Sequence, residues 1–413
     1  MNLLTKAKLF PKIIFLFSYL SIFISFYFDE DGSGFGASGD WYSVWDYTLE
    51  LKKNFFYDPN LKGVNALHLP LHYFLVSLFT FLTTDQTLIR LIFCSLSVML
   101  PIFFFLSLNP KKKNYDSLLI LSSIVMILPA FRYTVIWGND LITSLIFFQL
   151  SIFFFKKWEE KKTYNLNKNI ILQCIFLCLA TYSRPYFSFF FIFFFYKYFK
   201  FVGLKNLILL VFFCFILAIP AFYYVYLYPY ILTGQLITYK SINYFLLGNS
   251  SMLLVYVFPI FLLSILKKKN FITNKVFYSV LISLLLVFSL ILTFEPDKDK
   301  WSSGGIFLMF SNVIFKNNIF FLFTSFISFV FLIYFILENK NNFLIVIICL
   351  FMFPSFQVYQ RYYEPMFFLI LFSLIKSKNI DLFFNKTGFS LILYIYFFIY
   401  YLGSSQDWIY KIN

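Results

Sequence analysis

The sequence is poor in charge. Asp, Glu, Lys and Arg make up 13% of its 413 residues, while 61% are hydrophobic and 25% aromatic. That balance excludes a soluble globular domain, because burial does not grow fast enough with size to hide so much apolar surface. Arginine is scarcer still, with four among 34 basic residues: Arg90, Arg132, Arg184 and Arg361. Histidine occurs twice, as His68 and His72. The five cysteines (Cys94, Cys174, Cys178, Cys214 and Cys349) all fall inside apolar runs and lack metal-ligand spacing across a loop, so they read as small buried hydrophobes. The net charge of +15 does not mark a nucleic-acid binder, since the lysines lie in short clusters between apolar runs. Nor is a cleavable leader expected, which soluble sequence would follow.

What is present is apolar sequence, at a mean hydropathy of +0.78. Apolar stretches of about 15–22 residues recur along the chain, the length that crosses a bilayer core of roughly 30 Å. The 65 Phe, with abundant Ile, Lys, Asn and Tyr, fit an AT-rich genome, so Phe reads as lipid-facing filler and not as a ligand cage. The expected fold is all-α: a polytopic transmembrane bundle forming one integral membrane domain over 1–413, with no soluble domain at either end and no internal repeat.

Lysine clusters set the orientation. They are Lys6/Lys8/Lys12, Lys111–Lys113, Lys156/Lys157/Lys161/Lys162, Lys197/Lys200/Lys205, Lys267–Lys269 and Lys376/Lys378, with Lys340 a weaker marker. If each lies in the cytoplasm, spans fall near 8–28, 87–108, 117–135, 138–155, 169–183, 185–199, 205–228, 252–266, 276–294, 319–337, 342–357, 365–376 and 387–403. That gives about thirteen crossings, N-terminus inside and C-terminus outside. Most acids then land outside, as do the longest loops, 29–68, 229–251 and 295–318. The run 69–83 breaks this count and reads as a short interfacial or re-entrant helix, the alternative being a true span. Chemistry is expected on the extracytoplasmic face.

All four arginines fall at outer ends of these spans, against the positive-inside trend, so each needs a partner. A planar fork of donors suits phosphate or pyrophosphate better than a lysine point charge does, and the group points to anion recognition there. The competing reading for any one of them is snorkelling to headgroups or pairing with a loop carboxylate. Asp140, in "FRYTVIWGNDL" (131–141), opens a span at a good helix N-terminal position. "TYSRPYF" (181–187) and "QVYQRYYEP" (357–365) repeat one form, Arg amid Tyr and then Pro.

The first outer loop, 29–68, is the richest stretch. Asp29, Glu30 and Asp31 follow the first span, glycines at 32, 34, 36 and 39 break any helix, and Asp40 opens "GDWYSVWDYTLEL". There Trp41, Trp45 and Leu49 share one side at helical spacing, which predicts an interfacial helix with Asp40 held close to the bilayer. A carboxylate so placed can act as a general base or bind a metal. Next comes "NALHLPLHYF" (65–74): Pro70 suits a first helical turn, and His68 and His72 share one face, expected to point toward an aqueous cavity. A zinc site there lacks a third ligand nearby in sequence.

An acid after the first span, an aromatic surface helix and then "YDPN…LHLPLHYFLVSLF" resemble the GT-C superfamily of membrane glycosyltransferases, of the protein O-mannosyltransferase and aminoarabinose transferase kind. The usual His-Pro-Pro-Leu-Tyr-like motif reads His68-Leu69-Pro70-Leu71-His72-Tyr73 here, with Leu69 where proline is common. The resemblance is clear over roughly residues 10–145 and looser beyond. It implies inverting transfer from a polyprenyl-phosphate sugar to a hydroxyl of a lipid-linked, glycan or protein acceptor, in the bacterial cytoplasmic (inner) membrane with the active site facing the periplasm or exterior. By position Asp40 matches the base, with Asp29 and Asp31 as competitors. Arg361 matches the donor-phosphate arginine, with Arg184 and Arg132 in support, and Asp140 matches the second acid. His68, His72, Tyr73 and Glu364 fall beside the implied cavity. No metal is fixed by these residues, although a divalent cation is compatible with them. The rivals are a flippase or transporter for lipid-linked glycans, expected to show mid-span charges or broken helices, and a glycan polymerase or ligase, expected to carry its large outer loop late.

Overall fold

The computed structural model describes residues 3–32, 36–53, 69–161, 164–228, 242–267, 274–292, 305–353 and 359–404. Every regular element among them is helical. The contacts divide the chain into two compact units, residues 1–234 with 397–413, and residues 235–396.

Unit 1 runs through α1 (Leu3–Tyr27), α2 (Gly36–Lys53), α3 (Leu71–Phe79), α4 (Gln86–Leu96), α5 (Met99–Ser107), α6 (Tyr115–Ile127), α7 (Pro129–Ile136), α8 (Asp140–Lys161), α9 (Lys168–Ser183), α10 (Phe189–Phe199) and α11 (Leu204–Leu227), and ends with the last turns of the C-terminal helix Thr387–Ser404. The ends of these helices follow local chemistry. Asp85 caps α4 by accepting from Thr87 N (2.8 Å), and Asn167 caps α9 by accepting from Ile170 N (3.1 Å). The end of α1 is a Schellman motif: Glu30 N donates to Ser25 O, Asp29 N donates to Phe26 O, and Asp29 takes the left-handed conformation at φ 48°. Aspartate tolerates that conformation better than most residues. Pro129 opens α7 after Leu128 turns extended, and α6 and α7 meet at 61°. Inside α11, Pro220 supplies no N–H, and one residue on the ladder is interrupted by a side chain: the Tyr182 hydroxyl donates to Leu217 O (2.7 Å) and accepts from Ala221 N (3.1 Å).

Unit 2 is built around the helix Ile242–Lys267, which packs against Asn274–Ile291 and Ile319–Glu338. Phe261 stacks on Phe331 at 4.2 Å between ring centroids, and Ser325 Oγ donates to Leu247 O (3.0 Å).

Eight helices among the described residues are long and apolar enough to cross a membrane: Leu9–Tyr27, Gln86–Ser107, Asp140–Lys161, Leu204–Leu227, Phe245–Leu266, Asn274–Ile291, Ile319–Glu338 and Thr387–Ser404. The α6–α7 pair makes nine if it is one broken span. The chain is an integral membrane protein. About thirteen crossings were expected from apolar runs. Four of those runs form shorter helices: α9 has 16 residues, α10 has 11, Phe343–Phe351 has 9 and Met366–Ser373 has 8. Arg184-Pro185 and Glu364-Pro365 stand at the boundaries of these runs and keep neighbouring helices from joining into longer ones. The run 69–83 contains a helix of nine residues, Leu71–Phe79. At 1.5 Å per residue it covers about 14 Å, too little to cross.

Candidate functional site

Each of the three acids that follow α1 is engaged by a different partner. Asp29 accepts from Arg90 Nη2 (2.6 Å), whose Nε donates to Ile136 O (2.9 Å) and whose guanidinium lies 3.8 Å from the Trp137 ring. Glu30 faces Arg132 (Nη2 to Oε2, 3.4 Å) and accepts from the Tyr401 hydroxyl (3.1 Å). Arg132 also donates to Ser21 Oγ (2.8 Å), Ser21 O (3.0 Å) and Ser25 Oγ. Asp31 accepts from both Ser38 N (3.0 Å) and Ser38 Oγ (2.9 Å), which caps the third helical residue of α2. That carboxylate also meets the positive end of the helix dipole.

Asp40 comes two residues after Ser38 on α2 and is half-buried. The buried residues of this helix are Ala37, Ser38, Trp41, Val44, Trp45, Tyr47, Thr48 and Leu51. Trp41 and Trp45 share one side as their spacing predicts, but that side packs into protein, and the helix starts at Gly36 and runs through Gly39, where glycine was expected to break it. Leu49 is not buried with them and is 38% exposed. The Tyr47 ring meets the Tyr73 ring edge-on at 4.6 Å, and the Tyr47 and Tyr224 hydroxyls are 2.6 Å apart. Tyr73 is the meeting point of the site. Burial holds its hydroxyl well above the ordinary tyrosine range; the Asp140 carboxylate adds to this, Arg184 opposes it, and Tyr47 and Asp40 add the rest.

Asp140 and Arg184 form a buried ion pair, Nη2 to Oδ1 2.5 Å, with both side chains about nine-tenths covered. Asp140 opens α8 after Gly138, whose φ of +58° only glycine adopts at no cost. A Cβ there would meet Phe93 at 3.1 Å and Trp41 at 3.2 Å, so the turn lies directly against the residue that follows Asp40.

His72 differs from the expectation of a cavity-facing imidazole. It has no exposed surface. Its Nδ1 lies 2.8 Å from Thr143 Oγ1, and its ring packs against Phe93. The reason is that α3 is enclosed by α2, α8 and α9, so the face carrying His72 meets protein. Burial pushes its pKa down to about 4, with Arg184 acting in the same direction and Asp140 and the Gly138 carbonyl opposing. The ring is neutral at pH 7. Its Nε2 makes no hydrogen bond of ordinary geometry. His68 lies outside the described residues.

Arg361 and Glu364 belong to unit 2. The Arg361 guanidinium lies 5.3 Å from the Tyr359 ring and 5.7 Å from the Tyr362 ring, within cation–π reach of both, and is half-buried. Glu364 is buried beside Tyr363, whose hydroxyl donates to Cys349 O (2.9 Å).

Tyr47, Gly138, Thr143 and Tyr224 complete the site in unit 1 and were not singled out by sequence. Gly138 alone carried a signal, as the glycine before an acid at a helix start. Among the described residues, no group of three His, Cys, Asp or Glu side chains is placed to hold a metal ion. No protein-family model matches this chain, and no curated protein or solved structure matches it either.

Proposed function

We propose that this protein is a polytopic membrane glycosyltransferase of the GT-C type. It moves a sugar from a polyprenyl-phosphate donor to an acceptor hydroxyl, with inversion, on the extracytoplasmic side of the membrane. The observation that carries this reading is the buried Asp140–Arg184 ion pair at the start of α8, next to a turn at Gly138 that packs against Trp41, the neighbour of Asp40 on α2. Two carboxylates and an arginine fork gathered in a membrane bundle suit a reaction that removes a proton and expels a phosphate.

In the proposed reaction the Asp40 carboxylate takes the proton of the acceptor hydroxyl. The acceptor oxygen forms a bond to the sugar C1 from the face opposite the phosphate. The C1–O bond to phosphate breaks, and its electron pair leaves with polyprenyl phosphate. One displacement inverts C1. Asp140 orients the Arg184 fork through their ion pair, and Arg184 stabilises the departing phosphate. The base contributes roughly 10²–10⁴-fold, and positioning of two membrane-held substrates contributes much of the remainder. No step is routed through a metal ion. Asp29 and Asp31 are the competitors for the base; Arg90 pairs with the first and Ser38 donates to the second. The orientation assigned from lysine clusters, with 29–68 outside, belongs to this reading.

The test is complementation of a strain lacking the gene, read as its lipid-linked and envelope glycan profile. Asp40→Asn is expected to leave the profile of the null strain although the protein accumulates normally in the membrane, while the parent sequence restores it. Full restoration by Asp40→Asn would overturn the assignment of the base. A flippase is the second reading, and the bend of α6 against α7, with Arg132 on the second arm, favours it. That reading expects a complete glycan lipid to accumulate in the null strain, whereas a transferase expects a glycan short of one sugar.

A further inference from the structure

The chain Glu30–Arg132–Tyr401 joins residues far apart in sequence. Arg132 is 3% exposed and cannot be left without anionic and polar partners in a membrane bundle. It takes two serines of α1 and the Glu30 carboxylate. The Tyr401 ring lies 4.6 Å from its guanidinium, and the Tyr401 hydroxyl donates to the same Glu30 Oε2 that Arg132 faces. The Glu30 backbone is held as well, because Trp137 Nε1 donates to Glu30 O (3.1 Å) and the Glu30 N–H closes the end of α1. The next residue, Asp31, caps α2 through Ser38, and Asp40 lies two residues beyond Ser38. Force applied at Tyr401 therefore reaches the start of α2 through the Glu30 and Asp31 side chains and the one peptide step between them.

We propose that Glu30 and Tyr401 are positioning residues: the C-terminal helix latches onto Glu30 and Arg132, and this latch fixes the residue that caps α2 and so the placement of Asp40. The role given to Asp40 rests on the function proposed above, whereas the latch itself does not. Neither residue takes part in the proposed reaction, so the effect is exerted through α2. A purely stabilising network would loosen the whole of unit 1 when weakened. A latch loosens α2 first.

The experiment is hydrogen exchange by mass spectrometry on the full chain in lipid nanodiscs. Tyr401→Phe removes one hydroxyl and keeps the ring over Arg132. Glu30→Gln keeps the shape and removes the charge. Each is expected to speed exchange in peptides covering 36–53 on the order of five- to tenfold, with α8 and α9 unchanged, because one charge-assisted hydrogen bond is lost. The double variant is expected to do no more than the larger single one, as the two groups act through one contact. Leu402→Ala, an exposed apolar neighbour, is expected to change nothing. Unchanged exchange in 36–53, or an equal rise throughout unit 1, overturns the proposal. A second arm measures retention of undecaprenyl phosphate by native mass spectrometry. The Tyr401→Phe protein is expected to retain it as the parent does, and its loss in that variant alone overturns the positioning role. Absence of binding in the parent would count against the glycosyltransferase reading, and the exchange arm still decides the latch.

Discussion

Asp29, Glu30 and Asp31 are adjacent and chemically alike, yet they are held by three unlike partners: a stacked arginine, a buried arginine with a tyrosine, and a serine at a helix start. Charge alone does not distinguish them. Backbone conformation does, since the left-handed turn at Asp29 sends successive side chains in different directions. His72 shows the same dependence on surroundings. Its pKa is lowered from 6.5 to about 4, chiefly by burial. Between those values the unfolded chain binds a proton that the native chain does not. Native stability from this group is therefore complete above about pH 6.5 and falls as pH drops toward 4. At about 1.4 kcal/mol per unit the loss reaches roughly 3 kcal/mol. Melting in detergent at pH 7 and pH 4.5 checks this: His72→Asn, which keeps a polar atom toward Thr143, is expected to lose less melting temperature on acidification than the parent. An equal loss would show that His72 is not the group responsible.

At the scale of elements, the site depends on turns more than on long helices. Gly138 is the clearest case. Its left-handed backbone starts α8 at Asp140, and its missing Cβ lets Phe93 and Trp41 close over the turn. Gly138→Ala carries a backbone cost of about 1–2 kcal/mol and must also displace one of those rings. A loss of roughly 2 kcal/mol or more in stability is expected, with weakened complementation, because the turn sets the Asp140–Arg184 pair against α2. Wild-type melting and complementation would show that the turn tolerates a side chain. Sequence made α2 legible through its tryptophans, and α3 through Pro70. It did not reveal that α3 is enclosed, and so placed His72 in water. Periodicity describes one helix, whereas enclosure depends on three others.

At the scale of the whole molecule the described residues form two compact units, and the orientation in the proposed function rests on the lysine clusters. Tyr42 on α2 is 59% exposed and falls outside in this orientation, whereas Lys112 falls inside. In intact cells, Tyr42→Cys is expected to react with a membrane-impermeant maleimide, and Lys112→Cys only after permeabilisation. The reverse pattern would invert the assigned face and remove the donor lipid from the site's side. Hydropathy marks about thirteen apolar runs, of which eight or nine form helices long enough to cross among the described residues, because apolarity describes a run of residues, whereas crossing needs a long unbroken helix. Arg184-Pro185 and Glu364-Pro365 end helices inside apolar sequence.

Composition by itself made this chain a helical membrane protein, because that much apolar sequence has no other solvent and a backbone in lipid must satisfy its own hydrogen bonds. Local sequence also set many helix ends, through Asp85, Asn167, Pro129 and Pro70, whose effects reach only one turn. The partners of the arginines were decided by tertiary structure alone. Glu30 meets Arg132 across 102 residues and Tyr401 across 371. An ion pair is fixed by distance in space, and in this bundle the chain between such partners carries no mark of where it returns.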